Sequence, residues 1–190
     1  KYNIKVLGTP VKSIQVTEDR ELFAKELAKI DVKVPKGGFA RSVDEALKIG
    51  KNSKGTIKVT VLEKEEIEKL GMNSFLGVAK GSDEEPKFII LKYKPAKSRK
   101  KVVIIGKGIT FDTGGLSLKT AQSMETMKLD MAGAASILGV FSAIPILKPD
   151  IEVTGIIAAC ENMPSGRALK PGDILRAFNG KTIEVINTYA

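Results

Sequence analysis

Lys107, Asp112, Lys119 and Asp130 are the residues of this 190-residue sequence whose types and spacing best support chemistry. They share a glycine-rich stretch, Gly106-Lys107-Gly108-Ile109-Thr110-Phe111-Asp112-Thr113-Gly114-Gly115, continued by Lys119 and by Met127-Lys128-Leu129-Asp130. The stretch begins where the apolar run Val102-Val103-Ile104-Ile105 ends. Ligand sites in α/β sheets lie beyond the carboxyl ends of strands, so the position suits a site. Two carboxylates and a lysine can serve a divalent cation, since magnesium, manganese and zinc accept hard oxygen ligands without histidine. A lysine joins such a set only as the neutral amine. A second lysine that stays cationic can polarise a carbonyl or hold an oxyanion. On spacing alone, a glycine-rich turn carrying ordinary surface lysines fits equally well. A phosphate cradle fits less well, because the pattern Gly-x-x-x-x-Gly-Lys-Ser/Thr is absent.

Composition narrows the chemistry further. The sequence has no histidine, which removes Ser-His-Asp and Cys-His catalysis and histidine-based zinc sites. Cys160 is the one cysteine, so no intrachain disulfide can form, and a reducing, cytoplasmic setting is expected. The net charge is +9, from 31 Lys and Arg against 22 Asp and Glu. That excess admits binding to nucleic acid. The lysines are dispersed, however, and the one cluster, Lys92 to Lys101, lies between two apolar strands and reads as a solvated connection with little aromatic interleaving. The apolar runs are short, such as Val102–Ile105 and Ile156–Cys160, so no membrane span is expected. Lys1 is followed by no signal-like segment, and position 1 is not expected to be a natural start.

The elements that must position these residues alternate between strand and helix. Ile4 and Val6 mark a strand, and Thr17 caps a helix with the stripe Leu22, Phe23, Leu27 and Ile30. Pro35-Lys36-Gly37-Gly38 is a turn, and Ser42-Val43-Asp44-Glu45 is a capping box for a helix ending near Gly50. Residues 51–55 form a loop and a candidate boundary. Strands are expected around Ile57–Val61, Phe88–Tyr93, Lys101–Ile105 and Ile151–Ala158, with a helix at Glu63–Leu70. The run Val102–Ile105 is apolar on both faces, which predicts a buried central strand. A helix over Met131–Ile144 should stop at Pro145, and Asn179-Gly180 signals a hairpin. Cys160 reads as a small core residue, Asp173 as a turn or cap residue, and Glu161 and Arg167 as loop-holding residues.

Residues 102–188 resemble the catalytic domain of the leucyl aminopeptidase family, cytosolic exopeptidases that use two metals. The matching stretches are Gly106–Lys119, Met127–Ala135, Glu161-Asn162-Met163-Pro164-Ser165-Gly166-Arg167-Ala168 and Pro171-Gly172-Asp173-Ile174-Leu175, in the family's order. Leu70-Gly71-Met72 and Gly81-Ser82 are similar to its lead-in, so the likeness covers residues 56–188. The resemblance implies that Lys107 and Asp130 ligate one metal and that Asp112 contacts both. It implies that Lys119 is the cationic lysine that assists attack on the peptide carbonyl, and that Met127 lines the pocket for the first side chain. The implied reaction is release of N-terminal residues from peptides, with two divalent ions (zinc or manganese, magnesium being a third option) as cofactors. It also implies peptide substrates and a homo-oligomer, a hexamer in the family.

One departure matters. The family continues Asn-Thr-Asp-Ala-Glu-Gly-Arg, where the acids complete both metal sites and the arginine holds an anion. Here the sequence reads Asn187-Thr188-Tyr189-Ala190. The expectation is therefore an α/β fold with a mixed, mostly parallel central sheet flanked by helices. Residues 1–55 would be an N-terminal α/β piece, and residues 56–190 a partial catalytic domain with an incomplete site. A non-catalytic, oligomer-forming relative with a broken metal site is one alternative, and a basic nucleic-acid-binding module is another.

Overall fold

The computed structural model describes residues 43–98 and 100–190. The strand at Ile4 and Val6, the helix after Thr17, the turn at Pro35 and the cap at Ser42 lie outside these residues. The described chain opens with α1 (Val43–Asn52), whose Val43, Ala46 and Ile49 recur at helical spacing and join the core. The buried Ser53 hydroxyl then accepts the Ile57 N–H at 3.0 Å, which turns the chain into β1 (Ile57–Leu62). α1 precedes the boundary expected at residues 51–55, yet its apolar face is shared with the sheet.

Two short helices follow β1. α2 (Lys64–Lys69) begins in a reciprocal capping box between Glu63 and Glu66, and α3 (Asn73–Ala79) packs its small residues toward the sheet. β2 (Lys87–Tyr93) runs antiparallel to β1. β3 (Lys101–Asp112) leads through α4 (Ala121–Met124), a 3-10 turn (Met127–Leu129) and α5 (Ala132–Leu147) to β4 (Glu152–Asn162). A hairpin of β5 (Ile174–Arg176) and β6 (Thr182–Glu184) ends the series.

The sheet order is β1-β2-β4-β3. It is mixed and flanked by helices, as expected, but the share of parallel pairing is smaller than expected. β3–β4 is parallel, while β1–β2 and β2–β4 are antiparallel. The parallel pair follows from its connection, since a crossover through a helix returns the chain in the same direction. The main core lies on one face of the sheet, where Ala46 of α1 and Ile137, Phe141 and Ile144 of α5 meet Ile89, Leu91 and Ile157. α3 covers part of the other face, against Ile109 and Cys160.

Three expectations are corrected. First, Val102–Ile105 is not a central strand. β3 lies at the edge of the sheet among the described residues, with Val103 58% and Ile105 75% exposed. Strand order is a non-local property, and an apolar run cannot report it. Second, β3 does not stop at Ile105 but runs on through the glycines to Asp112. Third, Pro145 lies inside α5, which continues to Leu147 and closes on Lys148 in the left-handed conformation. At this position proline interrupts only the last turn.

The stretch Ala121–Leu147 is long and apolar enough to cross a membrane by length and composition only. Here it is broken by the 3-10 turn, and α5 lays Ile137, Leu138, Phe141 and Ile144 on the sheet.

The exposed face of β3 carries a prediction. An uncovered apolar edge invites association. The chain should bind an apolar dye such as ANS, and Ile105→Lys should lower that binding without shifting the urea midpoint. Unchanged dye binding in the variant would show that this strip is covered in solution.

Candidate active site

A single irregularity in the β3–β4 ladder aims the site. Lys107 pairs with Ala158 and Ile109 with Cys160, but Asn162 pairs with Asp112, so β3 holds one extra residue between Ile109 and Asp112. Side chains alternate along a strand, so Lys107 and Asp112 would otherwise point to opposite faces. The bulge shifts the phase and turns Asp112 to the face of Lys107, Ile109 and Cys160.

Asp112 is 1% exposed. Its Oδ1 accepts the Gly114 N–H at 2.9 Å and an Asn162 Nδ2–H at 2.7 Å. Its Oδ2 accepts from the Lys119 ammonium. Burial works against ionisation of Asp112, but the Lys119, Gly114 and Asn162 donors together outweigh it and hold the carboxyl below the usual range. The turn after β3 supports this arrangement. Gly114 and Gly115 have φ of +89° and +64°, and a Cβ on Gly115 would sit 3.0 Å from both Asn162 Oδ1 and Thr188 Oγ1.

Lys107 and Asp130 form the second pair, with Nζ 3.0 Å from Asp130 Oδ2. Asp130 follows the 3-10 turn that opens at Met127, and its N–H bonds to the Met127 carbonyl at 3.3 Å. Lys107 Nζ also donates to the Ala190 carbonyl at 2.6 Å. Asp130 Oδ2 is buried but receives no directed hydrogen bond, since the Lys107 contact is close without being aligned. The chain thus gathers Lys107 with Asp130, and Lys119 with Asp112. Met127 is half-buried on the turn that presents Asp130.

Cys160 lies between the two pairs. Burial, and then the Asp112 carboxylate, push its thiol up to about 12, against a smaller opposing pull from Lys107. Its raised value means that the protonated thiol stabilises the fold below its ordinary pKa of about 8.5, and that this contribution falls as pH rises toward the folded value. Cys160 should therefore resist a disulfide reagent at pH 8 in the native protein and react once urea unfolds it. Rapid native reaction would contradict its burial.

Two residues at the site escaped the sequence reading. Asn162 was noted only inside a matching motif, and Thr188 only as the last residue before the departure. Thr188 is buried, donates from Oγ1 to the Gly114 carbonyl at 2.6 Å and accepts the Ser117 N–H at 2.8 Å. Tyr189 follows, with its ring centroid 5.0 Å from Lys119 Nζ. The loop-holding reading of Glu161 and Arg167 agrees with their contacts. Glu161 accepts the Ser82 hydroxyl at 2.6 Å, and Arg167 pairs with Asp83. Asp173 accepts the Lys170 N–H at 3.0 Å, as a turn residue would.

The donor set fits a divalent cation. Asp112, at the end of β3, and Asp130, on the turn that reaches Lys107, offer hard oxygens, and Lys107 offers a nitrogen on the face of Asp112. No three Asp, Glu, Cys or His side chains cluster among the described residues, so two carboxylates and a lysine are what this set contains.

Comparison with known proteins places the chain in a family. Residues 24–190 match the catalytic domain of the cytosol aminopeptidase family, and the chain belongs to that family. It is 58% identical over 147 residues to a probable cytosol aminopeptidase of Methylibium petroleiphilum, covering 77% of this chain and 30% of the relative. It is 62% identical over 136 residues to one of Gloeobacter violaceus, covering 70% and 27%. A third, from Methylobacillus flagellatus, is 53% identical over 169 residues, covering 88% and 33%. The chain thus spans about a third or less of the length of these curated relatives.

Proposed function

We propose that this chain carries part of the active site of a metal-dependent leucyl aminopeptidase, which releases N-terminal residues from peptides. The observation that carries this reading is the bulge that brings Asp112 to the face of Lys107, whose ammonium pairs with Asp130 at 3.0 Å. Lys107, Asp112 and Asp130 would hold a divalent cation, with zinc and manganese the proposed ions and two the proposed number in the whole enzyme. When bound, such ions supply Lewis-acid activation of water and of the peptide carbonyl. Lys119, ion-paired with Asp112, would hold the negative charge that develops on the carbonyl oxygen. Asp112, Thr113 and Asn162 on this side of the site are buried. Met127, on the turn that carries Asp130, would line the pocket for the first side chain.

The second reading, a relative with the fold kept and the metal site incomplete, is favoured by Tyr189. The Lys119 ammonium lies 5.0 Å from its ring centroid, and in one register of the family resemblance Tyr189 takes the position of an acid, while in the other it follows a missing acidic loop. The two readings meet in one expectation. The 190-residue chain should retain a divalent cation and should leave leucine amide intact by itself. Equilibrium dialysis against Mn2+ and a leucine-release assay test this together. Failure to retain Mn2+ would overturn the metal reading, and robust metal-dependent release of leucine would overturn the incompleteness. Homo-oligomers, up to a hexamer, and a cytoplasmic location are part of the same proposal, and sedimentation velocity tests the first.

A further inference from the structure

We propose that Asn162 is a positioning residue, whose side-chain amide sets the orientation of Asp112 and latches residues 187–189 to it, and so determines how tightly this site holds a divalent cation. The inference rests on the metal reading above and adds to it a residue that takes no part as a ligand.

Asn162 is the last residue of β4 and is 4% exposed. Its two amide hydrogens go to different segments. One is donated to Asp112 Oδ1 at 2.7 Å, and the other to the Thr188 carbonyl at 3.0 Å. Its own backbone carbonyl accepts twice from the turn after β3, from the Thr113 N–H at 3.0 Å and the Thr113 hydroxyl at 2.8 Å. One residue thus binds the end of β3, the turn beyond it and the 187–189 segment. Thr188 also ties the 187–189 segment to Gly114 and Ser117, but of these bonds Asn162's joins that segment to the Asp112 carboxylate, beyond the bulge that interrupts the β3–β4 ladder.

The placement is selective in its chemistry. A carboxylate has two oxygens, and Lys119 occupies Oδ2 of Asp112. Asn162, with the Gly114 N–H, fixes Oδ1 and hence the plane of the group. A donor is required there, because an acceptor would face a buried carboxylate at hydrogen-bond distance. Asn162→Leu keeps the approximate size and the neutrality of the side chain but removes both donors, so it separates a donor role from simple space-filling. Groups that orient metal ligands in this way usually matter about 10- to 100-fold in metal affinity.

The test is Mn2+ titration of the wild-type chain, Asn162→Leu and Asn162→Ser, with urea unfolding of each. The expected result is Mn2+ binding by the wild type, weakened about 10- to 100-fold in Asn162→Leu. Asn162→Ser, which keeps a short hydroxyl donor, should fall between the two. Equal Mn2+ affinity in folded wild type and Asn162→Leu would overturn the inference and leave the metal reading standing. No Mn2+ binding by the wild type would overturn both. If the variants do not fold, the wild-type side-chain amide answers by NMR. Its two hydrogens should exchange slowly and shift when Zn2+ is added, and a fast-exchanging amide that ignores Zn2+ would overturn the inference.

Discussion

Asp112→Ala is expected to abolish stoichiometric Mn2+ binding and to lower stability by about 3–5 kcal/mol, the usual cost of removing one partner from a buried ion pair. Two features make this the largest expected effect. The carboxylate is 1% exposed and collects bonds from Lys119, Gly114 and Asn162, so its removal strands donors that water cannot readily reach. It is also the residue that the β3 bulge exists to aim, as judged by the ladder. Asp112→Asn should be milder for stability, because it keeps the shape and one carbonyl oxygen, yet should still lose the metal. The acid dependence should separate the variants from the wild type. The carboxyl is held below its ordinary value, so its stabilising contribution is present above the unfolded pKa of about 3.9. It is lost as pH falls through the lower folded value. Urea midpoints measured from neutral pH down through this range should fall more steeply in the wild type than in Asp112→Asn. Parallel curves would show that Asp112 is not held as described.

The second large effect is expected at Gly106. A Cβ there would lie 2.5 Å from the Gly133 carbonyl oxygen and 2.7 Å from an Ile137 side-chain carbon. The reverse contact is equally close, since a Cβ on Gly133 would lie 2.9 Å from the Lys107 backbone nitrogen. The start of α5 therefore rests directly on the β3 backbone, and it is this approach that brings Asp130 to Lys107. Gly106→Val should cost about 1–3 kcal/mol through overpacking against backbone that cannot rotate away. It should also weaken Mn2+ binding, because α5 must move outward and carry Asp130 with it. Urea unfolding and Mn2+ titration of the same variant check both. A stable variant with unchanged Mn2+ affinity would mean that the helix start is free to shift.

Much of the fold was legible locally. Alternation in Ile57, Val59 and Val61, the acid-rich start of α2 and the uncharged stretch of α5 each predict their own element. The hairpin was legible too, although Gly180, with φ +84°, follows the turn instead of centring it, and its N–H bonds to the Ala177 carbonyl at 2.8 Å. What local pattern could not reveal was order in space. Val102–Ile105 carries the composition of a buried strand but lies at the edge, and nothing within four residues encodes its neighbours. The glycines after Ile105 suggested a loop, whereas Gly106 is there to admit α5 to a strand.

The site was legible in part for the same reason. Residue type marked Lys107, Asp112, Lys119 and Asp130, and the structure gathers them as two ion pairs. Their common face depends on a one-residue bulge, which leaves no mark in composition. Asn162 and Thr188 were overlooked because neutral polar residues show no function until their hydrogen bonds are seen.

The central claim is that the end of β3 holds a divalent cation through Lys107, Asp112 and Asp130. Calorimetric titration of Mn2+ into the wild-type chain and into Lys107→Met, Asp112→Asn and Asp130→Asn tests it most directly. The account predicts saturable binding by the wild type and its loss or severe weakening in each variant. Wild-type binding that all three variants retain, or no binding at all, would contradict it.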